Sequence, residues 1–466
     1  MISIDTLPDD ALLEIFDHHM CSVRLEQLSQ TVEKAWQSLV HVCRRWRCIV
    51  FGSPRRLDLC LVCTGRTSVR DRLDVWPALP LIIVDKGDSS TRSIGYVDNI
   101  VAALERTNRV CQIELEDYWS SDMEIFLAEM QQPFPELTNL CLWSNDKMAA
   151  VVPDSFLGGS ALRLEDLTLD GFRFPGLPKL LLSATHLRYL YLNYIPHSGY
   201  ISPDVMVTTL STLTSLVSLE LKFLSPRSCP DWASRRPPPS TRSVLPVLTN
   251  FWFKGVSEYL EDLVACIDAP RLGRFGITFF NDLVFDTPQL IQFISRTPKL
   301  KALENAHINL HAHAASIDSS SHTSRHGDDL RVEILCKGLD WQLSSLEQLC
   351  TSCLPSLSML ECLYLFESPQ AFQNDNIDNG LWLGVLRVFG AVNFLCLSEK
   401  AASRVAPALQ ELRVVEGESL PAVLPTLKSI FLRWRPSGPD RPVPEGIRVF
   451  VAARQVAGHL IAVSHD

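Results

Sequence analysis

The chain has 466 residues, a net charge of −10, and 21% charged against 46% hydrophobic residues. That balance predicts a largely packed chain, long enough for a small N-terminal module and one large body. The acidic excess argues against a role built on phosphate neutralisation or on attraction to an anionic membrane.

The opening stretch MISIDTLPDDALLEIF holds three Asp, one Glu and no basic region, which argues against a secretory signal. The most apolar run, Trp76 to Val84, is too short to span a bilayer and is broken by Pro77 and Pro80. Both point to a soluble chain of the cytoplasm, the nucleus or both, not a secreted one. Fourteen cysteines fit that reducing compartment, because many sit inside apolar runs where a free thiol behaves as a small hydrophobe.

LPDDALLEIF predicts a helix, with Asp9 and Asp10 in the first turn, Pro8 near its start, and Leu12, Ile15 and Phe16 on one face. A second helical pattern runs through Leu25, Leu28, Val32, Trp36, Leu39, Val42 or Cys43, and Trp46, and ends at Gly52-Ser53-Pro54. Leu7-Pro8, Leu12, Ile15-Phe16 and Val42-Cys43-Arg44-Arg45-Trp46 match, in order, the opening and closing positions of an F-box. Residues 1–52 therefore resemble that domain. The usual Asp-Leu step between its first helices is replaced here by the longer HHMCSVRLEQLSQTVEKAW. The resemblance implies that Leu7, Pro8, Leu12, Ile15, Phe16, Val42, Cys43 and Trp46 bind a Skp-type adaptor, and through it a cullin. A module this small gains from such a partner, and clustered Leu, Ile, Phe and Trp suit an interface core.

Residues 53–109 read as connecting strands and a helix. Leu57, Leu59 and Leu61 alternate, LPLIIV at 79–84 is a short apolar run, and 97–107 is helical. A further helix is predicted at 122–132.

From Val110 one pattern recurs: apolar, two residues, apolar, one residue, apolar. The copies are Val110/Ile113/Leu115, Leu137/Leu140/Leu142, Leu164/Leu167/Leu169, Leu187/Leu190/Leu192, Leu216/Leu219/Leu221, Leu248/Phe251/Phe253 and Leu272/Phe275/Ile277. Later ones are Leu360/Leu363/Leu365, Val392/Leu395/Leu397, Leu409/Leu412/Val414 and Leu427/Ile430/Leu432. Intervening segments at 204–213, 257–267 and 287–296 read as helices, the last with Asp286 as N-cap. A strand and a return every two to three dozen residues is the pattern of a leucine-rich repeat. The predicted class is therefore α/β. The helical F-box is followed over 110–434 by an irregular leucine-rich-repeat solenoid, a curved parallel sheet with helices outside. Residues 435–466 form a linker and C-terminal cap. Asn145 alone clearly occupies the consensus Asn position after a strand.

Two insertions interrupt this scheme. Residues 226–246 hold six prolines and four arginines and predict an extended loop. Residues 311–329 are polar and predict a loop, and 301–348 carry no clean repeat apart from a strand-like LRVEILC.

Sites with chemistry are few. Cys60/Cys63 and Cys350/Cys353 each have the spacing of half a zinc site, yet they lie far apart in the chain. His307, His311, His313, His322 and His326 gather in one region without a carboxylate or Cys at a fixed step, so a solvated loop is the simpler account. The Arg44-Arg45-Trp46-Arg47 cluster reads as the solvent side of a helix. No nucleophile elbow, HExxH, dinucleotide fingerprint or P-loop occurs, so no catalytic residue, metal or cofactor is expected. The whole chain resembles F-box proteins with a leucine-rich-repeat-like body, and its tail FVAARQVAGHLIAV resembles the fungal (basidiomycete) members. The resemblance implies a non-enzymatic substrate receptor of a Skp–cullin–F-box ubiquitin ligase, with an unknown target protein on the repeats. The alternatives are a repeat scaffold outside any ligase, or an α/β enzyme with an unrecognised site.

Overall fold

The computed structural model describes residues 4–24, 29–66, 68–86, 94–145, 150–230, 241–280, 287–301, 303–320, 329–354, 357, 359–368, 378–410, 423–433 and 442–465. The chain forms two compact units, Met1–Tyr200 and Ile201–Asp466. No helix among the described residues is long and apolar enough to cross a membrane.

The first unit opens with α1 (Asp9–Arg24), α2 (Ser29–Val40) and α3 (Arg44–Gly52). The continuous second helix predicted up to Trp46 is instead broken at residues 41–43. Cys43 is extended (φ −156°) and its Sγ accepts from the Trp46 N–H at 3.5 Å, so a new helix begins there. Periodicity could not mark this stop, because the apolar stripe continues across it. Predicted positions Leu25 and Leu28 lie outside the described residues.

Next come β1 (Leu61–Cys63), α4 (Val69–Val75), β2 (Leu81–Lys86), α5 (Ile94–Leu104), β3 (Val110–Tyr118) and α6 (Ser120–Glu129). They are followed by β4 (Asn139–Ser144), β5 (Asp166–Asp170), α7 (Leu177–Ser183) and β6 (Tyr189–Ile195). Within this unit the strands lie in chain order, each parallel to the next. The strand predicted from Leu57 starts only at Leu61. Leu57 and Leu59 are buried, but their N–H groups bond back to the Ser53 and Pro54 carbonyls in a turn, with Asp58 at φ 52°.

Stacking is in register. Leu140 faces Leu167 and Leu167 faces Leu190, while Leu142 faces Leu169 and Leu169 faces Leu192. All six are at most 1% exposed, which is worth roughly 1.5–3 kcal/mol each relative to exposure. The Asn145 backbone N–H donates to the Tyr118 carbonyl at 2.9 Å, joining two successive turns.

The second unit runs through α8 (Pro203–Leu210), β7 (Ser218–Phe223), β8 (Ser243–Val244), β9 (Asn250–Gly255), α9 (Ser257–Ala265) and β10 (Ile267–Asp268). It continues with β11 (Arg274–Phe279), α10 (Pro288–Arg296), β12 (Asn305–His311), β13 (Ala314–Ser320), β14 (Leu330–Ile334) and α11 (Leu339–Gln348). It ends with β15 (Cys362–Glu367), α12 (Asn379–Arg387), β16 (Phe394–Ser398), α13 (Glu399–Gln410), β17 (Ser429–Arg433), α14 (Glu445–Val456) and β18 (Ala462–His465). Its main sheet has the order β7-β9-β11-β14-β13-β12-β15-β16-β17-β18. β8 and β10 form a separate parallel pair, which anchors one end of the proline-rich insertion; residues 231–240 of it lie outside the described residues.

Two predictions need correction here, and a third lies partly outside the described residues. The polar stretch from 311 is not simply a loop: Ala314–Ser320 forms β13, antiparallel to both β12 and β14, although 321–328 lie outside the described residues. Leu409, the first position of the Leu409/Leu412/Val414 repeat, belongs to α13, and the strand expected from that repeat falls outside the described residues. In α13, Ala401, Ala402, Val405, Ala408 and Leu409 are buried at helical spacing. Asp286, predicted to cap α10, also lies outside them. Thr287 occupies the cap position and its side chain does not cap the helix; that cap comes from the preceding repeat, where buried Glu261 on α9 accepts from the Gln289 and Leu290 N–H groups at 3.0 and 2.7 Å.

Two buried carboxylates give direct tests of this packing. Glu261→Ala strands two helix N–H groups, so urea unfolding should show a loss of about 1–3 kcal/mol. Glu33 on α2 is buried, bonds to Arg72 on α4 and accepts the Val62 N–H at 3.3 Å. Burial pushes its carboxyl above the ordinary 4.5, and outweighs the Arg72 charge and the two hydrogen bonds that pull it down. A raised carboxyl keeps its proton longer when folded than when unfolded, so stability is lost as pH rises from 4.5 through the folded value. The stability of the wild type relative to Glu33→Gln should therefore fall with rising pH across that window. A relative gain would show that the Arg72 attraction dominates.

Candidate functional site

The three N-terminal helices divide the eight motif positions into a core set and a surface set. Leu12 and Phe16 on α1 are 0% and 1% exposed and pack inward with Met20. The Phe16 ring meets Trp46 of α3 at 4.7 Å between centroids. Leu7 and Trp46 are half-buried, whereas Pro8 and Cys43 are exposed. Ile15 is 47% and Val42 59% exposed, large values for aliphatic side chains.

The two ends of the motif, separated by more than thirty residues, are clipped together by Arg45. Its guanidinium donates to the Leu7 carbonyl at 2.5 Å and to Asp9 Oδ1 at 2.6 and 2.9 Å. Arg47 donates to the Val40 carbonyl at 3.1 Å and so braces the turn between α2 and α3. The arginine cluster predicted to face solvent does so only in part: Arg44 and Arg47 are exposed, whereas Arg45 is half-buried and holds the chain entry to α1 against α3. The signal was present in the sequence only as a charge pair, Asp9 and Arg45, with nothing to show that they meet.

Behind this surface the module is fixed to the first strand. The buried Trp36 indole N–H donates to the Cys60 carbonyl at 3.0 Å, and its ring meets Trp76 at 5.1 Å and Phe51 at 6.1 Å. The Glu33–Arg72 pair lies beside it, with Arg72 also donating to the Val62 carbonyl at 2.8 Å.

The remaining candidates fall apart as sites. Cys60 and Cys63 are buried free thiols, and burial pushes the Cys63 thiol up to about 11. Cys350 is buried in a single π-helical turn. No group of three or more His, Cys, Asp or Glu among the described residues is placed to hold a metal ion. His307 stacks on Tyr364 at 4.3 Å with planes 5° apart, so its ring is part of a sheet-face aromatic row with Phe366. His311 ends β12, and its carbonyl accepts from the buried Gln342 amide at 2.8 Å. His322 and His326 lie outside the described residues.

No family model matches the chain. No curated protein matches it either. Among solved structures the chain is similar to a leucine-rich repeat-containing protein, LegL7, from Legionella pneumophila. The two share 10% identity over 80% of this chain and 82% of that one, with a TM-score of 0.25.

Proposed function

We propose that this protein is the substrate-receptor subunit of a Skp–cullin–F-box ubiquitin ligase. The observation that carries the reading is the Arg45 clip, which brings Leu7-Pro8 beside Val42-Cys43 and Trp46. Ile15 and Val42 are left facing solvent. Exposed aliphatic side chains on ordered helices are the material of an interface core. In this reading the adaptor takes Pro8, Ile15, Val42 and Cys43 directly, and Leu7 and Trp46 at their exposed edges. Leu12 and Phe16 act from beneath by holding the helices. The repeats hold a target protein, and the ligase gains effective concentration of target lysines near the ubiquitin-charged enzyme. No catalytic residue or cofactor is needed in this chain.

A repeat scaffold outside any ligase is the second reading. It is favoured by the Trp36–Cys60 hydrogen bond and the Glu33–Arg72 pair, which make the helices a lid on the first strand. A lid needs no partner.

Co-purification with a Skp-type adaptor separates the two. Ile15→Asp/Val42→Asp changes exposed side chains only, so its melting temperature should match the wild type's, and adaptor recovery should drop by about tenfold or more. An intact chain that retains no adaptor, or a double variant that retains as much as wild type, would sink the receptor reading.

A further inference from the structure

In the Ile201–Asp466 unit, Leu360, Val392 and Leu427 open the repeats of β15, β16 and β17 and are at most 4% exposed. With that position turned inward, the residues on either side of it are half-buried or exposed, and they align across the strands. One row is Glu361, Asn393 and Lys428, each just before its strand. The Asn393 N–H donates to the Glu361 carbonyl at 2.9 Å and the Lys428 N–H to the Asn393 carbonyl at 2.8 Å. The other row is Met359, Ala391, Thr426 and His459. Its middle is low, because Ala391 is small and the Thr426 hydroxyl is tied to the Gly390 and Val392 carbonyls at 3.1 and 2.9 Å. Its sides are high: Met359 is 74% exposed and Leu460, beside His459, is 78% exposed. Helix α14 ends at Gly458 (φ 85°), and the His459 N–H returns to the Arg454 carbonyl at 2.9 Å, so this turn sets both His459 and Leu460 in place. The two rows enclose a cleft of about 540 Å³. Ligand clefts are roughly 300–1,000 Å³.

The two ends of the cleft differ in chemistry. Lys428, which makes no ion pair among the described residues, and His459 line one end. An ammonium and an imidazole N–H both donate to an anion. Toward the other end the Asn393 Nδ2 donates to Glu361 Oε2 at 3.3 Å, which leaves Glu361 Oε1 and Asn393 Oδ1 to accept from a ligand. Between them stand the apolar side chains of Met359, Ala391 and Leu460. A fitting ligand therefore has an anion at one end, an apolar group in the middle and N–H donors at the other. The last residue of a polypeptide carries these groups in that order: carboxylate, side chain, amide N–H. Strands about 4.8 Å apart place the Glu361 and Lys428 backbones roughly 10 Å apart, a span that two or three extended residues cover at about 3.4 Å each. A fatty acid has the anion and the apolar body but no N–H for Glu361 and Asn393.

We propose that this cleft binds the free C-terminus of a partner polypeptide whose last side chain is apolar. The terminal carboxylate sits on Lys428 and His459, the side chain lies between Met359 and Leu460, and backbone N–H groups donate to Glu361 and Asn393. The unbranched Met359 adapts to side chains of different shape. This deepens the receptor reading and rests on it for one point only, that the bound chain is the target to be modified.

The test uses the full chain and needs no adaptor, so its failure is separate from failure of the co-purification. A Gly/Ser peptide ending in Leu with a free carboxylate, labelled with fluorescein at its N-terminus, is titrated by anisotropy. The same peptide amidated at its C-terminus, and one ending in Ser, should each bind about tenfold or more weakly. These comparisons use the wild type alone and do not depend on any variant folding. Lys428 and His459 are exposed, so Lys428→Gln/His459→Gln should melt with the wild type. It should bind the free-acid peptide about as weakly as the wild type binds the amide. Lys179→Gln/His186→Gln, an equal change at exposed positions of the other unit, should leave binding within about twofold. Absence of saturable binding, equal affinity for acid and amide, or equal loss in the two variants would each overturn the proposal. So would displacement by free leucine or octanoate as effective as that by unlabelled peptide, which would assign the cleft to a small carboxylic acid.

Discussion

A strand with a single return has one apolar face and nothing of its own to cover it, and every feature of this chain answers to that constraint. Leu167 and Leu169 are fully buried because Leu140 and Leu142 stand on one side and Leu190 and Leu192 on the other. Each repeat is thus stabilised through its neighbours, and stability is a sum of interfaces. The first strand has no earlier repeat. Helices α1 to α3 stand in its place, with Trp36 and Phe51 meeting Trp76 at the end of α4. The same need buries Glu33, whose carboxylate then requires Arg72 and the Val62 N–H. One side of this small helical module is therefore a lid on the first strand, and the proposed adaptor surface is the other.

The spacing of leucines made most strands legible in advance. Ten of the eleven triplets place their last two apolar residues in strands, from Ile113 and Leu115 in β3 to Ile430 and Leu432 in β17. What failed did so for physical reasons. β12 follows the same rule as Leu303/Ala306/Ile308, all buried, but alanine does not announce itself as an inward residue. β13 reads AASIDSS and is buried along most of its length, with Asp318 accepting from Asn309 at 2.8 Å and paired with Arg331 at 3.6 Å. Its polar groups are matched by strands on either side, and no local pattern can foretell a partner across a turn. Leu409 shows the converse, since an apolar triplet and a helical stripe can share the same residue.

At the N-terminus the order of motif residues was legible, but their sides were not. Leu12 and Ile15 belong to one motif and one helix, yet the first is enclosed and the second open. Matching by residue type treats them alike. The structure separates residues that hold the surface from residues that are the surface, and it adds Arg45, whose role depends on a backbone carbonyl that sequence comparison never sees. On the sheet, Glu114 and Glu116 of β3 and Asp166 and Asp170 of β5 are scattered through the sequence as ordinary polar positions between leucines. Register alone gathers them.

The strand order β11-β14-β13-β12-β15 reverses direction inside an otherwise parallel, sequential sheet. Elsewhere a strand meets its successor as soon as that successor emerges from synthesis. Here Phe275 and Ile277 must wait for Leu330 and Val332, and β12 and β13, antiparallel to one another, lie between the two in the chain. Long-range pairing of this kind is slow, and it leaves a strand edge open while the chain grows. It also makes this stretch interdependent: β11 and β15 are joined in the sheet only through β14, β13 and β12, so loss of any one of these three would leave two strand edges unpaired.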